Sequence, residues 1–535
     1  MPLMHSLTRT ALLAGVLLLT KGCSALLPQQ TLELPDNIEA CQAFLARIDQ
    51  AIEADGVTDG ASFRIEGFAY LRTNRFLYAA GERLVTRDQS LAWLEAMHKL
   101  DRQARRKEIL NLAPERFQEF KPGTPTDEKR EALIGEVSGC AQTLYRFHRY
   151  ETDLRERVRR RTVIPDEYRT WRRALGLYPL LALPVAYVTD DVYDDFRQWH
   201  ETPPDELSRE GQLVVAGPAE DLNRDGFDPQ SLYRPERMNA LGMPTMTAAE
   251  GRRLAAYFAP IIIQDEADRY DRIGTLIWQD DRVQIATAHP TVYYYFSYAI
   301  VADRPALQIN YAFWYSHRDG RNAPWIERGP LDGITVRISF DHRMQPFMVD
   351  LMNNCGCYHF FIPQRRYIQT IRGIPLAVDP FVPAWMPSGF PDNRLQLRVN
   401  SGWHQVQHVG AGEPAEVSRV YTLVPYEELE MLPDETGRSQ SIFDAHGIAR
   451  DSERIEPLIF FSMGIPAVGS MRQRGHHAIK LVGRAYFDDP LLFEQSFAFA
   501  PGAFGFKSQT LRNGSIPLIA FEGQAQTDEE TKHLP

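Results

Sequence analysis

The sequence predicts an α+β protein: a helical N-terminal domain followed by a mainly antiparallel, sandwich-like β-rich domain. Apolar residues recur at helical intervals between residues 35 and 152, and short β-branched and aromatic runs separated by turn signals follow from residue 283. Between them, residues 201–250 are irregular and rich in Pro and Gly. The expected division is a signal peptide at 1–22, a helical domain at 23–200, an irregular linker with a helix start at 201–250, a β-rich domain at 251–523 and a flexible tail at 524–535.

Composition and missing motifs narrow the range of functions. The chain has 535 residues, of which 44% are hydrophobic and 24% charged, which is typical of a globular protein of two or three domains. Its net charge of −11 argues against nucleic acid as a partner, because nucleic-acid binders need a basic face. The sequence lacks G-x-S-x-G, H-E-x-x-H, Walker and dinucleotide-binding glycine motifs, which excludes the enzyme classes that depend on them.

The N-terminus predicts export. The apolar run 11–19 is shorter than the roughly 20 residues of a membrane span and is typical of a signal peptide. It is followed by Thr20-Lys21-Gly22-Cys23, which resembles a bacterial lipoprotein cleavage box except at Thr20 and Lys21. We therefore expect lipidation at Cys23, with plain secretion as the alternative, and an outer-membrane lipoprotein that faces the periplasm. The lipid bilayer is the expected partner.

Cysteine positions support an oxidising compartment. Apart from Cys23, four cysteines remain, which is an even number. Cys41 and Cys140 fall on the apolar faces of two predicted helices. A disulfide between them would close a loop of about 100 residues and contribute about 4 to 5 kcal/mol in the chain-entropy model.

Residues 155–188 combine an arginine-rich segment with the apolar run 174–188. The run is too short for a spanning helix and is interrupted by Pro179 and Pro184. Two interpretations remain open at this point: a buried core segment with a solvated arginine face, or a surface that contacts the membrane.

One loop in the linker resembles a calcium-binding loop. Asp221, Asn223 and Asp225 alternate and precede Gly226, as oxygen ligands do around a calcium ion. The twelfth position is Leu232 where such loops supply a bidentate Glu. The alternative is a plain Asx-rich turn.

The densest group of candidate site residues lies between His289 and Pro363. If residues 355–359 are extended, Cys355, Cys357 and His359 project from one face and could bind zinc together with a remote histidine. The candidates for that remote ligand are His289, His317 and His476. The alternatives are a strained turn, two buried thiols or a disulfide-like cysteine pair.

Two further groups are candidates for chemistry. Asp332 in Gly329-Pro330-Leu331-Asp332-Gly333 is either the cap of a hairpin turn or a carboxylate that acts as a general base. Arg472 and Arg474, next to His476 and His477, could bind an anion.

The segments 329–333 and 355–363 also carry a family resemblance. Their Leu-Asp-Gly turn and Cys-Gly-Cys-Tyr-His strand make the chain similar to a family of uncharacterised proteobacterial envelope lipoproteins. The resemblance extends over most of the mature chain, including residues 70–72 and 175–179. It implies a location in the cell envelope and no particular activity.

Two functional hypotheses follow. The first is a non-catalytic binding or structural lipoprotein that acts at the membrane surface. The second is a metal-assisted periplasmic hydrolase in the β-rich domain, with zinc as its metal and Asp332 as its base.

Overall fold

The computed structural model of the protein describes residues 36–120, 122, 126–219, 224, 226–373, 378–412 and 416–505. The predicted signal peptide, the lipidation site Cys23 and the predicted tail lie outside the described residues. So do Asp221, Asn223 and Asp225, the three candidate calcium ligands.

Helices dominate the first part of the described chain, and three short or medium helices follow later. Their bounds are α1 Asp36–Ala54, α2 Arg75–Gly81, α3 Arg87–Asn111, α4 Pro114–Phe120, α5 Thr126–His148, α6 Leu154–Arg161, α7 Thr170–Leu175, α8 Tyr178–Glu201, α9 Ala248–Phe258, α10 Glu456–Ile459 and α11 Leu492–Ser496.

The N-terminal helices form their own core. Leu45 of α1, Trp93 of α3 and Leu133 of α5 are buried together, as the helical spacing of their apolar neighbours requires. Cys41 on α1 and Cys140 on α5 form a disulfide with a Cα–Cα distance of 5.0 Å, across a sequence separation of 99. The predicted disulfide is confirmed.

The second part of the chain is built on strands. Their bounds are β1 Phe63–Arg64, β2 Arg72–Thr73, β3 Gln212–Pro218, β4 Ile261–Glu266, β5 Thr275–Gln279, β6 Arg282–Ala286, β7 Thr291–Val301, β8 Arg304–Arg318, β9 Gly329–Phe340, β10 Pro346–Asn353, β11 Phe360–Pro363, β12 Ile368–Ile371, β13 Leu395–Val399, β14 Val406–Ala411, β15 Arg419–Pro425, β16 Leu432–Pro433, β17 Ser439–Gln440 and β18 Phe497–Phe499.

One ten-stranded sheet organises this part, in the order β11-β10-β9-β8-β7-β15-β3-β4-β13-β14. Most neighbours are antiparallel, and β15 with β7, β15 with β3, and β13 with β4 are parallel. The α+β prediction is confirmed. The segment expected to be an irregular linker contains strand β3. Its Leu-Val-Val-Ala run favours a strand and pairs with β15 on one side and with β4 on the other.

Strand β8 is buried on both faces, which positions the residues discussed below. Tyr311, Phe313 and Tyr315 pack into the main core, while Trp314 packs on the opposite side. Because successive side chains alternate between the faces of a strand, β8 serves two cores at once. Strands β8 and β9 pair along most of their length, which brings the end of β8 beside the start of β9.

Candidate functional site

Asp332, the candidate general base, belongs to strand β9 and is fully buried. Arg318 at the end of β8 donates two hydrogen bonds to its carboxylate, at 3.0 and 2.8 Å, and a third to Glu327 at 2.5 Å. Burial alone would favour the neutral acid, but Arg318 and His404 hold the pKa of Asp332 well below its usual range. Asp332 therefore lies in a strand and not in the predicted hairpin turn, and Arg318 and His404 favour its ionised form.

His404 lies between two carboxylates. Its Nδ1 lies 2.8 Å from Asp332 Oδ2, its Nε2 lies 3.1 Å from Asp271 Oδ1, and its ring stacks on Tyr315 at 3.8 Å between centroids. Although burial opposes a charge, the bonds to Asp271 and Asp332 raise the pKa of His404. The ring therefore joins β9 to the loop that precedes β14, and its two carboxylate partners favour its protonated form.

The segment predicted as a strand of zinc ligands is a turn. Strand β10 ends at Asn353 and β11 begins at Phe360, and between them Gly356 and Tyr358 have φ angles of +92° and +53°. These left-handed residues break the two-residue alternation on which the common face depended. Cys355 is buried and Cys357 half-buried, and the backbone N–H of Cys357 donates to Cys355 Sγ at 3.4 Å.

His359 turns away from the cysteines. Its Nε2 lies 2.9 Å from Asp350 Oδ2, and Arg337 donates two hydrogen bonds to the same carboxylate at 2.9 and 2.6 Å. Burial lowers the pKa of His359, although Asp350 acts in the opposite direction. His359 is therefore held in a separate buried ion cluster.

The remaining histidine candidates are dispersed. His289 and His317 are exposed, while His476 is buried, with Nδ1 2.8 Å from Glu167 and Nε2 2.6 Å from the carbonyl oxygen of Gly60. Within the part of the chain that the structure describes, no three His, Cys, Asp or Glu side chains are grouped to hold a metal ion. The predicted zinc ligands are not brought together.

The two candidate anion-binding arginines are engaged by carboxylates. Arg472 is buried and contacts Glu167 at 3.3 Å and the carbonyl oxygen of Pro466. Arg474 donates two hydrogen bonds to Glu430, at 2.9 and 2.6 Å. Arg474 also contributes to the wall of a cavity.

That cavity has a volume of about 890 Å³ and lies between α3 and β7. Its apolar and aromatic walls include successive turns of one face of α3 and residues Tyr294 to Tyr298 of β7. Its charged lining includes Lys107 of α3, which contacts Asp59 at 2.9 Å and Glu430 at 2.5 Å. No sequence motif marked Asp59, Lys107 or Glu430, although the nearby Asp101, Arg105 and Glu108 share one helix face by spacing.

A second exposed feature is an apolar surface on α7, α8 and the segment 455–461. Trp171 and Phe461 contact each other with ring centroids 5.9 Å apart, which joins the two segments. Leu183, Tyr187 and Leu458 are 72%, 76% and 84% exposed. The apolar surface is formed by Trp171, Leu175, Leu177, Leu180, Leu181, Leu183, Tyr187, Val188, Ile455, Leu458, Ile459 and Phe461.

The exposure of these side chains contradicts one of the two interpretations of the run 174–188. Ala182 is buried, but most of its larger neighbours are in contact with solvent, so a buried core segment is the wrong interpretation. Arg172 lies 5.4 Å from the Trp171 ring and 5.5 Å from the Phe461 ring, at the edge of the apolar surface. None of the described helices combines the length and apolar character that crossing a membrane requires.

Comparison with known proteins adds no relative: no family model, no curated protein and no solved structure matches the chain. A function is therefore proposed from the chemistry and exposure of this chain's own side chains. The buried clusters tie their ionisable groups to one another, whereas the apolar surface and the cavity are open to a partner.

Proposed function

We propose that the protein is a cell-envelope lipoprotein with a non-catalytic, binding role, and that it rests on a lipid bilayer through the apolar surface. The observation that carries the proposal is the clustering of large exposed hydrophobic side chains on α7, α8 and the segment 455–461. Scattered exposed hydrophobic residues are ordinary, but contiguous apolar patches mark sites of interaction.

A bilayer fits this surface for three reasons. Moving a largely exposed leucine from water into the acyl boundary is worth roughly 1 to 2 kcal/mol, so several such residues give appreciable binding. Trp171 and Tyr187 have the amphipathic rings that favour the interface between headgroups and acyl chains. The exposed Arg169 and the neighbouring Arg172 supply positive charge locally, in a protein that is negative overall.

The predicted lipid at Cys23 would act together with this surface. The lipid and the apolar surface would make separate contacts with the bilayer, and the apolar area that each buries adds to the binding. The lipid would keep the protein at the membrane, and the surface would fix its orientation.

Vesicle flotation tests the role of the apolar surface. A Cys23→Ser variant, which cannot be lipidated, should float with vesicles of phosphatidylethanolamine and phosphatidylglycerol. Adding Leu183→Glu and Leu458→Glu should weaken that binding about tenfold or more, because two charges would enter the interface. The matched control is Val85→Glu, at a position that is 87% exposed and outside the surface.

The control variant should float as well as its parent. Equal flotation of the Leu183→Glu, Leu458→Glu variant and its parent would contradict the proposed bilayer contact. The anchor is tested separately: Cys23→Ala should move the protein from the membrane fraction toward the soluble fraction of cells.

A further inference from the structure

The Cys355-Gly356-Cys357 turn has features that a structural thiol pair does not need. Its two cysteines differ in exposure, since Cys355 is 4% exposed and Cys357 is half-buried. The Cys357 backbone N–H donates to Cys355 Sγ at 3.4 Å, and hydrogen bonding from the Cys357 thiol lowers the pKa of Cys355. Cys355 Sγ therefore has a backbone donor, and Cys357 is the less buried residue of the pair.

The backbone of the turn requires glycine between the two cysteines. Gly356 has a φ of +92°, and a Cβ at this position would come within 2.6 Å of the carbonyl oxygen of Ala478. Only glycine fits both the conformation and the close approach. A disulfide closed across a single intervening residue is strained, and strained disulfides are the ones that exchange readily.

Charged groups around the turn complete the site. Arg318 and Arg454 both interact electrostatically with Cys355. The Glu456 side chain is 5% exposed, and among the described residues no group donates a hydrogen bond to its carboxylate. Burial and the neighbouring Cys355 raise the pKa of Glu456 to about 8. Glu456 is therefore a buried carboxyl group that interacts electrostatically with Cys355.

We propose that Cys355 and Cys357 form a redox-active pair that exchanges disulfide bonds with thiols of other polypeptides. In the oxidised pair, a substrate thiolate attacks Cys357 Sγ, the Cys355–Cys357 bond breaks, and Cys355 leaves as a thiolate. A second substrate thiolate then attacks the mixed disulfide and releases Cys357. The substrate dithiol loses two electrons and two protons and becomes a disulfide, and the pair gains them as two thiols.

The asymmetry of the pair sets the role of each sulfur. The hydrogen bond from the Cys357 thiol lowers the pKa of Cys355 against the effect of burial, and the same bond together with burial raises the pKa of Cys357. A thiol of lower pKa is the better leaving group. Cys355 is thus the leaving and resolving sulfur, and Cys357 is the sulfur that partners attack. Another disulfide, of a protein or of glutathione, returns the pair to its oxidised form by the reverse steps.

The experiment uses the full chain and oxidised glutathione. The protein is first reduced under conditions that leave Cys41–Cys140 closed, incubated with oxidised glutathione, quenched with acid and peptide-mapped. The wild type should form the Cys355–Cys357 disulfide, and reduced glutathione should reopen it. Cys355→Ser should accumulate a glutathione adduct on Cys357, because the resolving sulfur is gone. Cys357→Ser should form about tenfold less adduct, because the sulfur that remains is buried.

Several outcomes would overturn the proposal. One is that both thiols of the native wild type react only after denaturation. This measurement uses no variant, so it does not depend on whether the variants fold. Another is a Cys355–Cys357 disulfide that reduced glutathione does not open, since that bond would be structural. The third is equal adduct formation in the two serine variants. Circular dichroism of both variants checks that each is folded. Membrane binding is not involved, so failure here leaves the proposed function intact.

Discussion

At the scale of single residues, His404 is the clearest source of pH-dependent stability. Its pKa is raised in the folded protein by Asp271 and Asp332, against the effect of burial. A raised folded-state pKa means that this stabilisation is fully present below the unfolded pKa of about 6.5 and is lost as pH rises through the folded value. The pKa values of Asp271 and Asp332 are lowered, so their contribution is lost in the opposite direction, as pH falls.

His404→Gln should lower the free energy of unfolding by about 3 to 5 kcal/mol near pH 6, because it leaves two buried carboxylates without their shared cation. Urea denaturation over a series of pH values measures the effect, and the loss should shrink as pH rises through the folded pKa of His404. The exposed His289 provides the control His289→Gln, which should behave as the wild type. A pH-independent loss would show that His404 is neutral in the folded protein.

Substitution of Glu456, unlike substitution of His404, is expected to stabilise the protein. Burial, followed by the effect of Cys355, raises its pKa to about 8, so between its unfolded pKa and that value the folded protein binds the proton more tightly. Stability should therefore fall as pH rises through this window. Glu456→Gln should raise the free energy of unfolding by roughly 2 to 3 kcal/mol near pH 7 and have little effect near pH 4. The exposed Glu453→Gln is the control, and equal effects at both pH values would refute the raised pKa.

The sequence identified several residues of the buried clusters as candidates, but it did not predict their partners. Asp332, Cys355 and His359 are buried, and Cys357 is half-buried. Their roles depend on partners from distant segments, such as His404, which lies 72 residues from Asp332. Residue spacing could not reveal these partners. The prediction of a common face for Cys355, Cys357 and His359 assumed an extended strand, but Tyr358 has a positive φ. Tyrosine rarely adopts a left-handed conformation, so the sequence did not indicate this break.

At the scale of elements, the helical pairing of α1 with α5 was predictable because both cysteines lay on apolar faces. The double variant Cys41→Ser, Cys140→Ser should lose about 4 kcal/mol of unfolding free energy, since the disulfide closes a loop with a sequence separation of 99. Guanidinium denaturation of the wild type and the variant measures the loss. An unchanged midpoint with an unchanged slope would indicate that helix packing alone constrains this loop.

The periodicity of the apolar residues in α8 does not predict whether they are buried or exposed. Its apolar residues would suit a core as well as a membrane surface, and the outcome depends on whether another segment covers them. Leu180 and Leu183 remain 66% and 72% exposed in the described structure. Strand β3 is the converse case: its short β-branched run becomes a central strand because β4 and β15 provide edges on both sides.

At the scale of the whole molecule, a buried ion network connects the helical part to the strand-rich part beside the cavity. Lys107 of α3 donates to Glu430 at 2.5 Å across 323 residues of sequence, and Arg474 binds the same carboxylate. Despite burial, Asp59 and Glu430 raise the pKa of Lys107, so the ammonium group stays charged at neutral pH. No local pattern predicts such a contact, because both partners are ordinary charged residues in their own segments.

Lys107→Met tests whether this network holds the two parts together. Removing the cation leaves Asp59 and Glu430 as buried carboxylates with fewer partners, so the free energy of unfolding should fall by about 3 to 5 kcal/mol. The matched control is Lys99→Met, which lies on the same helix and also lines the cavity but is exposed. It should change stability by less than about 0.5 kcal/mol.

A double-mutant cycle with Glu430→Gln separates the pair from its surroundings. If Lys107 and Glu430 stabilise the protein through their direct contact, the two losses should be non-additive by about 1 to 3 kcal/mol. Hydrogen exchange of both variants should then show earlier opening along the cavity, in α3 and in residues 295–298 of β7, than in the sheet centre at β8 and β9. Additive losses with uniform exchange would mean that the apolar contacts between α2, α3 and β7, and not the ion network, join the two parts of the molecule.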